Sequence, residues 1–374
     1  MSKNSFSLFC VSFFTLSFGV AAMAALVPQF ALYFAVPPVQ AARLIWLYML
    51  PYGVCALLWS PLTRIMAVKK ILLFTMAGYS LSTFGFAFSS TLPQAYIFRF
   101  LMGCFGCSFV PLILITIGKS VPQNEKSKYI GTLFAISYVS TCVSVFLSGF
   151  IPWRGLYLIP AGMSFLMLLI IPIALDEFDF RRESFKVSYV DTFRDRGALN
   201  FFIVIILVSF FYHSVQQWLG VYFKIQYGLT QVLISSILTV STVSATGAEF
   251  LGGILAARIG NIHLARIGFM VMALFCGILF FLRLYSALFM VMLFWGGGWA
   301  LTHVGLSSHL THFPDKILRD SSSLNSALRF FAGGIGAAAG GISISHLGFQ
   351  THFLIVGAAL LVMGFLLPKS LAHS

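Results

Sequence analysis

Charge is what this chain has least of. Asp, Glu, Lys and Arg together make up 9% of its 374 residues, and only ten are acidic, whereas about a quarter of an ordinary soluble domain is charged. A water-facing surface cannot be assembled from so little charge and 59% hydrophobic residues, so a soluble globule is excluded. Cysteine is sparse as well. Cys10, Cys55, Cys104, Cys107, Cys142 and Cys276 all fall inside apolar runs, with no evident disulfide framework. Cys104 and Cys107 form a CxxC, read as thiols that fill helix contacts. The two-residue alternation of a lipid-facing barrel strand is absent too.

What is present is a period. Apolar runs of about 20 residues, enough for a helix to cross a bilayer core of about 30 Å, are separated by short charged islands. Twelve spans are predicted, near residues 6–30, 43–63, 69–90, 94–118, 128–151, 155–175, 199–222, 231–257, 263–283, 286–310, 321–345 and 350–368. Their continuous apolarity makes them helices, and the fold class is all-α membrane protein. The first run exceeds a signal h-region of about 7–15 residues and is kept as a span.

The basic residues orient the chain. With the N-terminus inside, the inner loops hold Lys3, Arg64, Lys69, Lys70, Lys119, Lys126, Lys128, Arg181, Arg182, Lys186, Arg194, Arg196, Arg258, Arg266, Lys316, Arg319 and Lys369. Only Arg43, Arg99, Arg154, Lys224, Arg283 and Arg329 lie elsewhere. This positive-inside bias puts both termini in the cytoplasm, with the inner (plasma) membrane of a bacterium as the expected location. The net charge of +13 is then explained by basic loops against anionic lipid, with no nucleic acid as partner.

The polar island from Asp176 to Arg196 holds six of the ten acidic residues and divides the spans six and six. The expected organisation is an N-terminal six-helix bundle at 1–175, a cytoplasmic linker at 176–198 and a C-terminal bundle at 199–374. The halves look like copies. Val121-Pro122 recurs as Phe313-Pro314 and Gly149 as Gly341, both 192 residues on, and Ser60 to Ala67 matches Gly253 to Gly260 at 193. Internal repeats of this kind build many secondary transporters.

These residues resemble the major facilitator superfamily. Its signature between spans two and three, G-x-L-A-D-R-x-G-R-K/R, is similar to Gly253, Leu255, Ala256, Arg258 and Gly260, and the first half keeps Leu62 and Lys69-Lys70. Arg99, Gly103 and Gly106 are similar to R-x-x-x-G-x-x-G in the fourth span, and Trp153-Arg154 to the W-R between spans five and six. The resemblance implies transport of a small organic solute by alternating access, no enzymatic activity and no cofactor. Two departures stand out. Arg64 and Ala257 occupy the signature's aspartate position, so a gate salt bridge on that carboxylate is not expected, and the fifth span lacks the G-P-x-x-G-G of many drug/proton antiporters.

Ionisable groups within the membrane are costly, about 2.5–3.5 kcal/mol on insertion scales, and so are functional candidates. Here they are Arg99, His213, His303 and Glu249. The resemblance implies that spans one, four, seven and ten line the cavity, and the first three lie on those spans. His213, Gln216 and Gln217 share a helical face, as do Trp295, Trp299, Thr302 and His303. The expected substrate-binding residues are Arg99, His213, Gln216, Gln217, Trp299 and His303. The coupling or gating candidates are Glu249, Arg64, Arg258 and Arg329. With donors and positive charge but only a peripheral carboxylate, the pocket favours an anionic or polar solute. A coupled proton would be carried by Glu249, His213 or His303. Glu249 has a structural reading too, as the partner of Lys128, Arg258 or Arg329.

Gly336-x-x-x-Gly340 in span eleven predicts close helix contact, and Gly296 to Gly298 a hinge in span ten. Three other readings remain: a drug/proton antiport efflux pump, a transporter-like receptor or scaffold, and a membrane enzyme. The enzyme reading rests on His309 and His312, which have no acidic or cysteine partner at metal-ligand spacing, so no metal is expected. The predicted partners are the solute and membrane lipid, around a monomer.

Overall fold

The structure is a computed structural model that describes residues 1–180, 189–310, 313 and 315–371, with 60, 123, 124, 127, 190, 191, 315–322 and 368–371 described by backbone alone. Expectations placed on Arg181, Arg182, Lys186, His312 and Pro314 fall outside the described residues. The chain divides into two compact units, Met1–Val187 and Ser188–Ser374. Among the described residues every regular element is helical.

In the first unit the helices are α1 (Lys3–Ala21), α2 (Met23–Tyr33), α3 (Pro38–Ala41), α4 (Arg43–Leu62), α5 (Val68–Ala87), α6 (Leu92–Gly106), α7 (Phe109–Ser120), α8 (Gln123–Leu147) and α9 (Trp153–Ala174). The second unit holds α10 (Tyr189–Arg194), α11 (Arg196–Gln216), α12 (Leu219–Tyr227), α13 (Gln231–Ile259), α14 (Asn261–Phe281), α15 (Leu288–Leu310) and α16 (Asp315–Leu371).

Among the described residues ten helical stretches are long and apolar enough to cross a membrane, against the twelve spans predicted. One difference is α5, which opens on Lys69 and Lys70 and carries the buried hydroxyls of Thr75, Ser80, Ser82 and Thr83. The other is the final stretch, Ser323–Leu367, whose 45 residues would extend about 67 Å as one helix. That is twice the bilayer core, and the chain breaks within it at Gly348, where φ is 78°, a conformation that costs only glycine nothing.

The same helix contacts recur in both units. In the first, α1 packs on α8, α4 on α6, and α5 on both α6 and α9; in the second, α11 packs on α16, α13 on α15, and α14 on both α15 and α16. The register is repeated as well. A Cβ at Gly103 would overlap the Tyr48 carbonyl, and one at Gly296 the Ser241 carbonyl, both pairs 193 residues apart. Gly78 accommodates Phe105 in one unit, and Gly298 accommodates Val271 at the same two positions of the other. Where α8 crosses α1, Ser140 and Ser144 donate to the carbonyls of Phe14 and Phe18 at 2.6 and 2.7 Å. The matching contacts, 196 residues on, are Gly336 against Phe210 and Gly340 against Ser214. This register moves the Gly149–Gly341 equivalence by four residues, one helical turn.

Helix breaks repeat too. α1 gives way to α2 at Ala22 (φ −75°, ψ −7°), and α11 to α12 at Gln217 (φ −73°, ψ −14°) and Trp218, 195 and 196 residues on. The expected hinge at Gly296 to Gly298 is instead a packing contact. α15 runs unbroken from Leu288 to Leu310, and Gly296 and Gly298 let it meet backbone of α13 and α14.

The described ends of the expected linker are folded onto their own units. The Ser2 N–H donates to Asp176 at 2.7 Å, Asp176 N–H to Ser5 Oγ at 2.9 Å, and Val68 N–H to the Phe178 carbonyl at 3.1 Å. Lys69 pairs with Glu177 at 3.1 Å. On the far side α10 packs on α11 and α16.

Candidate functional site

In the second unit, one cluster gathers most of the predicted residues. α11 contributes Tyr212, His213, Gln216 and Gln217; α15 contributes Trp295, Trp299 and His303; α13 contributes Glu249; and α16 contributes Arg329. The core is a ladder of rings. Phe275 stacks on Trp295 at 4.5 Å, Trp295 on Tyr212 at 5.0 Å, Tyr212 on Trp299 at 3.8 Å, and Trp299 on His303 at 6.2 Å. The spacing of Trp295, Trp299 and His303 at i, i+4 and i+8 puts three rings on one side of α15, and Tyr212 slots between the first two. Thr302 leaves this face. Its hydroxyl donates to the Gly298 carbonyl at 2.9 Å and packs on Gly268.

Polar groups sit on the edges of the ladder. Trp295 Nε1 donates to Gln216 Oε1 at 2.6 Å, which leaves the amide nitrogen of Gln216 turned the other way. Gln217 Nε2 lies 3.1 Å from His213 Nδ1. With the amide as donor, Nδ1 accepts and the proton sits on Nε2. His213 itself stands edge-on to Trp299 at 5.9 Å.

At the far end, His303 Nδ1 meets Glu249 Oε1 at 2.6 Å, with the two side chains 30% and 16% exposed. Sequence placed Glu249 at the periphery with Lys128, Arg258 or Arg329 as partner; the helix crossing of α13 on α15 brings it to His303. The contact adds a carboxylate to the site. Arg258 lies nine residues further along α13, about 13.5 Å of axial rise, and is exposed, so it stands apart from this contact. The Arg329 guanidinium lies 5.9 Å over Trp299 and its Nε donates to Asn325 Oδ1 at 2.9 Å. Arg329 therefore joins the ring ladder.

Arg99 is elsewhere. It is 1% exposed inside the first unit, where its Nε donates to the Leu44 carbonyl at 3.1 Å and its guanidinium lies 4.4 Å over Tyr48, 5.5 Å from Phe86 and 5.9 Å from Tyr157. Aromatic faces, which attract a cation through their quadrupoles, take the place of a carboxylate here. In this conformation the cage closes Arg99 to a solute. Arg64 follows the end of α4 in the same unit, half-buried.

Two residues were missed. Tyr212 is the central ring of the ladder, and its only sequence signal was its position four residues before Gln216. His352, buried in α16, bridges Ser343 Oγ and the Ser214 carbonyl at 3.0 Å each, a structural tie that resembled ordinary apolar sequence. Among the described residues no group of three His, Cys, Asp or Glu side chains could hold a metal ion. Cys107 donates to the Cys104 carbonyl and receives Trp59 Nε1, both at 3.1 Å, a packing role.

Comparison with known proteins agrees with this architecture. The model of the Major Facilitator Superfamily matches residues 8–336. The uncharacterized MFS-type transporter YceJ of Bacillus subtilis (strain 168) is 22% identical over 246 residues, which span 64% of this chain and 63% of that protein's length. Among solved structures, the nucleoside transporter NupG superposes with a TM-score of 0.78 at 14% identity, covering 99% of each chain. The human organic anion transporter MFSD10 superposes at 0.73, also 14% identical, covering 98% of this chain and all of that one. At these identities the structures speak for the fold, while the family model covers most of the chain. This chain belongs to the major facilitator superfamily of membrane transporters.

Proposed function

We propose that the chain moves a small polar organic solute across the bacterial inner membrane by alternating access of its two six-helix halves, and that the solute binds at the ring ladder of the second unit. The observation that carries this reading is the contact of His303 with Glu249 inside the membrane-spanning helices, partly exposed beside Trp299. Their partial exposure supports access by a ligand and by protons, and intramembrane ionisable groups are retained at a cost. His213, Gln216 and Gln217 offer hydrogen bonds in fixed directions, and Arg329 supplies positive charge. With Glu249 in place, both signs of charge flank Trp299, which suits a polar or zwitterionic solute as well as an anion. The coupled proton is assigned to His303 and Glu249.

A second reading has a specific observation in its favour. A carboxylate beside a tryptophan ladder is also the chemistry that holds an aromatic cation, and so a drug/proton antiport efflux pump is kept. Uptake into proteoliposomes, with anionic, zwitterionic and aromatic cationic solutes tested in turn under an imposed pH gradient, separates the two. Accumulation of a polar or anionic solute that Glu249→Gln abolishes supports the first. Extrusion of cations alone supports the second. No movement of any class, from protein that binds ligand in a thermal-shift screen, would leave a receptor or scaffold.

A further inference from the structure

A second cation is held at the end of the first unit opposite Ser2. α1 and α2 carry the chain from Lys3 to Tyr33, and there an open groove of about 480 Å³ is lined by Gln29, Leu32, Tyr33, Pro152, Trp153 and Arg154. Arg154 is its only charged wall. One terminal nitrogen, Nη2, donates to the Tyr33 hydroxyl and, at 3.0 Å, to the Ser89 carbonyl. The guanidinium plane lies 4.7 Å over Tyr33 and 5.4 Å over Trp153. The other terminal nitrogen, Nη1, has no hydrogen-bond partner among the described residues. No carboxylate lines the groove.

Gln29 is the other polar wall, and its amide donates to the Ser148 carbonyl at 3.4 Å; Leu32 and Pro152 are apolar. Leu32 is 75% exposed and Tyr33 43%, whereas Trp153 is buried under Phe30 and Phe34 as a fixed floor. Such a groove has a cationic donor at one end, an apolar ramp at the other and amphipathic rings between, in a protein whose sides are in lipid. Trp and Tyr favour the level of the headgroups, and the Nη1 of a guanidinium offers a phosphate charge-assisted N–H donors. With the basic loops of the chain in the cytoplasm, this end lies at the opposite leaflet.

We propose that the groove is a phospholipid site, with the lipid phosphate on Arg154 and the start of an acyl chain along Leu32 and Pro152. It is independent of the solute-binding cluster. The test uses the purified full chain in detergent, with thermal stability measured before and after addition of phosphatidylglycerol micelles or, separately, inorganic phosphate. Native mass spectrometry counts bound lipid in the same samples. The lipid is expected to stabilise the wild type and to remain bound, while Arg154→Gln lowers lipid affinity about tenfold, the loss of one charge-assisted contact, and removes the lipid-dependent shift. Arg154→Lys keeps part of it. Should Arg154→Gln not fold, Leu32→Asp leaves the guanidinium in place and puts a repelling charge on the ramp, with the same loss expected. Equal lipid retention by Arg154→Gln, or by Leu32→Asp where that stands in, overturns the proposal. So does a shift that inorganic phosphate reproduces in full, because the site then recognises free phosphate and not lipid.

Discussion

Where the fifth span crosses the first, Ser140 and Ser144 reach across with hydroxyls to the carbonyls of Phe14 and Phe18. At the matching positions of the second half, Gly336 and Gly340 let the backbones of α16 and α11 touch directly. One contact is made with hydrogen bonds and the other by omission of side chains, yet both fix the same crossing. The contents of the two bundles, by contrast, are exchanged. The positions matching Tyr212, His213, Gln216 and Gln217 are Leu16, Ser17, Val20 and Ala21, and those matching Glu249, Trp295, Trp299, His303 and Arg329 are Ala56, Met102, Gly106, Val110 and Leu133. Arg99 is matched in turn by Met292, and its caging Tyr48, Phe86 and Tyr157 by Ser241, Leu279 and Phe353. A repeated scaffold thus tolerates wholly different interiors, provided that the few backbone contacts between helices are kept. Among the described residues the ring ladder falls in the second half, and the caged Arg99 in the first.

If the scaffold is shared, its closest contacts should be equally intolerant in both halves. Gly103→Ala and Gly296→Ala each drive a methyl into a carbonyl, and each should destabilise by about 1–3 kcal/mol or more. Thermal unfolding in detergent measures it, and tolerance at one position alone would show that the register is not shared.

The contents should respond in the opposite way. Glu249→Gln should reduce transport by on the order of tenfold, about 1.4 kcal/mol, at unchanged expression, because a neutral amide neither holds nor exchanges the His303 proton. Val110→Leu, at the first-half place that matches the partner histidine His303, should leave uptake within about twofold, because it adds one methylene at a half-buried apolar position. Equal sensitivity in proteoliposome assays would remove the asymmetry.

Arg99 tests whether the buried cation of the first half works or only packs. A lysine keeps the charge on the aromatic faces and loses the planar fork that reaches Leu44. Arg99→Lys should slow transport severalfold, on the order of 1 kcal/mol, with little change in unfolding temperature. The reverse pattern would make it a structural residue.

Smaller still is the contribution of the two serines. Ser140→Ala and Ser144→Ala should each cost about 0.6 kcal/mol, the average for interhelical hydrogen bonds within membranes, measured by unfolding in bicelles. A cost of several kcal/mol would mean that the hydroxyls, and not the backbone approach, set this crossing.

The least effect is expected at the latch on the first unit. The backbone N–H of Ser2 holds the exposed Asp176 carboxyl below its usual range. A lowered value in the folded state contributes stability above the unfolded carboxylate range near pH 4, lost as pH falls through the folded value. Asp176→Asn should flatten protease sensitivity of the following segment between about pH 5 and pH 3. An unchanged profile would assign the pH dependence to another group.

Much of the fold was legible because the bilayer imposes a length and a polarity on every span, and both are one-dimensional properties. The span count was less secure where polarity is internal. α5 bonds three of its buried hydroxyls back to its own carbonyls, as Thr75 does to Ile71 and Thr83 to Tyr79 at 2.9 and 2.6 Å, and Ser80 reaches the Ala161 carbonyl of α9, all of which composition registers as polarity. The two site stripes were visible through the 3.6-residue period that puts His213 beside Gln217 and Trp299 beside His303. Tyr212 was not, because its neighbours are two tryptophans on another helix, and the contact of Glu249 with His303 was not, because its helix crossing cannot be read along the chain.

By itself, then, the sequence determined the solvent this chain lives in, its helical class and the family to which it belongs. These follow from transfer free energies summed over consecutive residues, and such sums need no knowledge of packing. The tertiary structure alone decided that Glu249 meets His303, that Arg99 is enclosed by aromatic faces, and that the glycines of span ten are contacts and not a hinge. Each depends on the distance between helices far apart in sequence. That distance is set by where backbones can touch, at Gly103, Gly296, Gly336 and Gly340, and by nothing that a single helix displays.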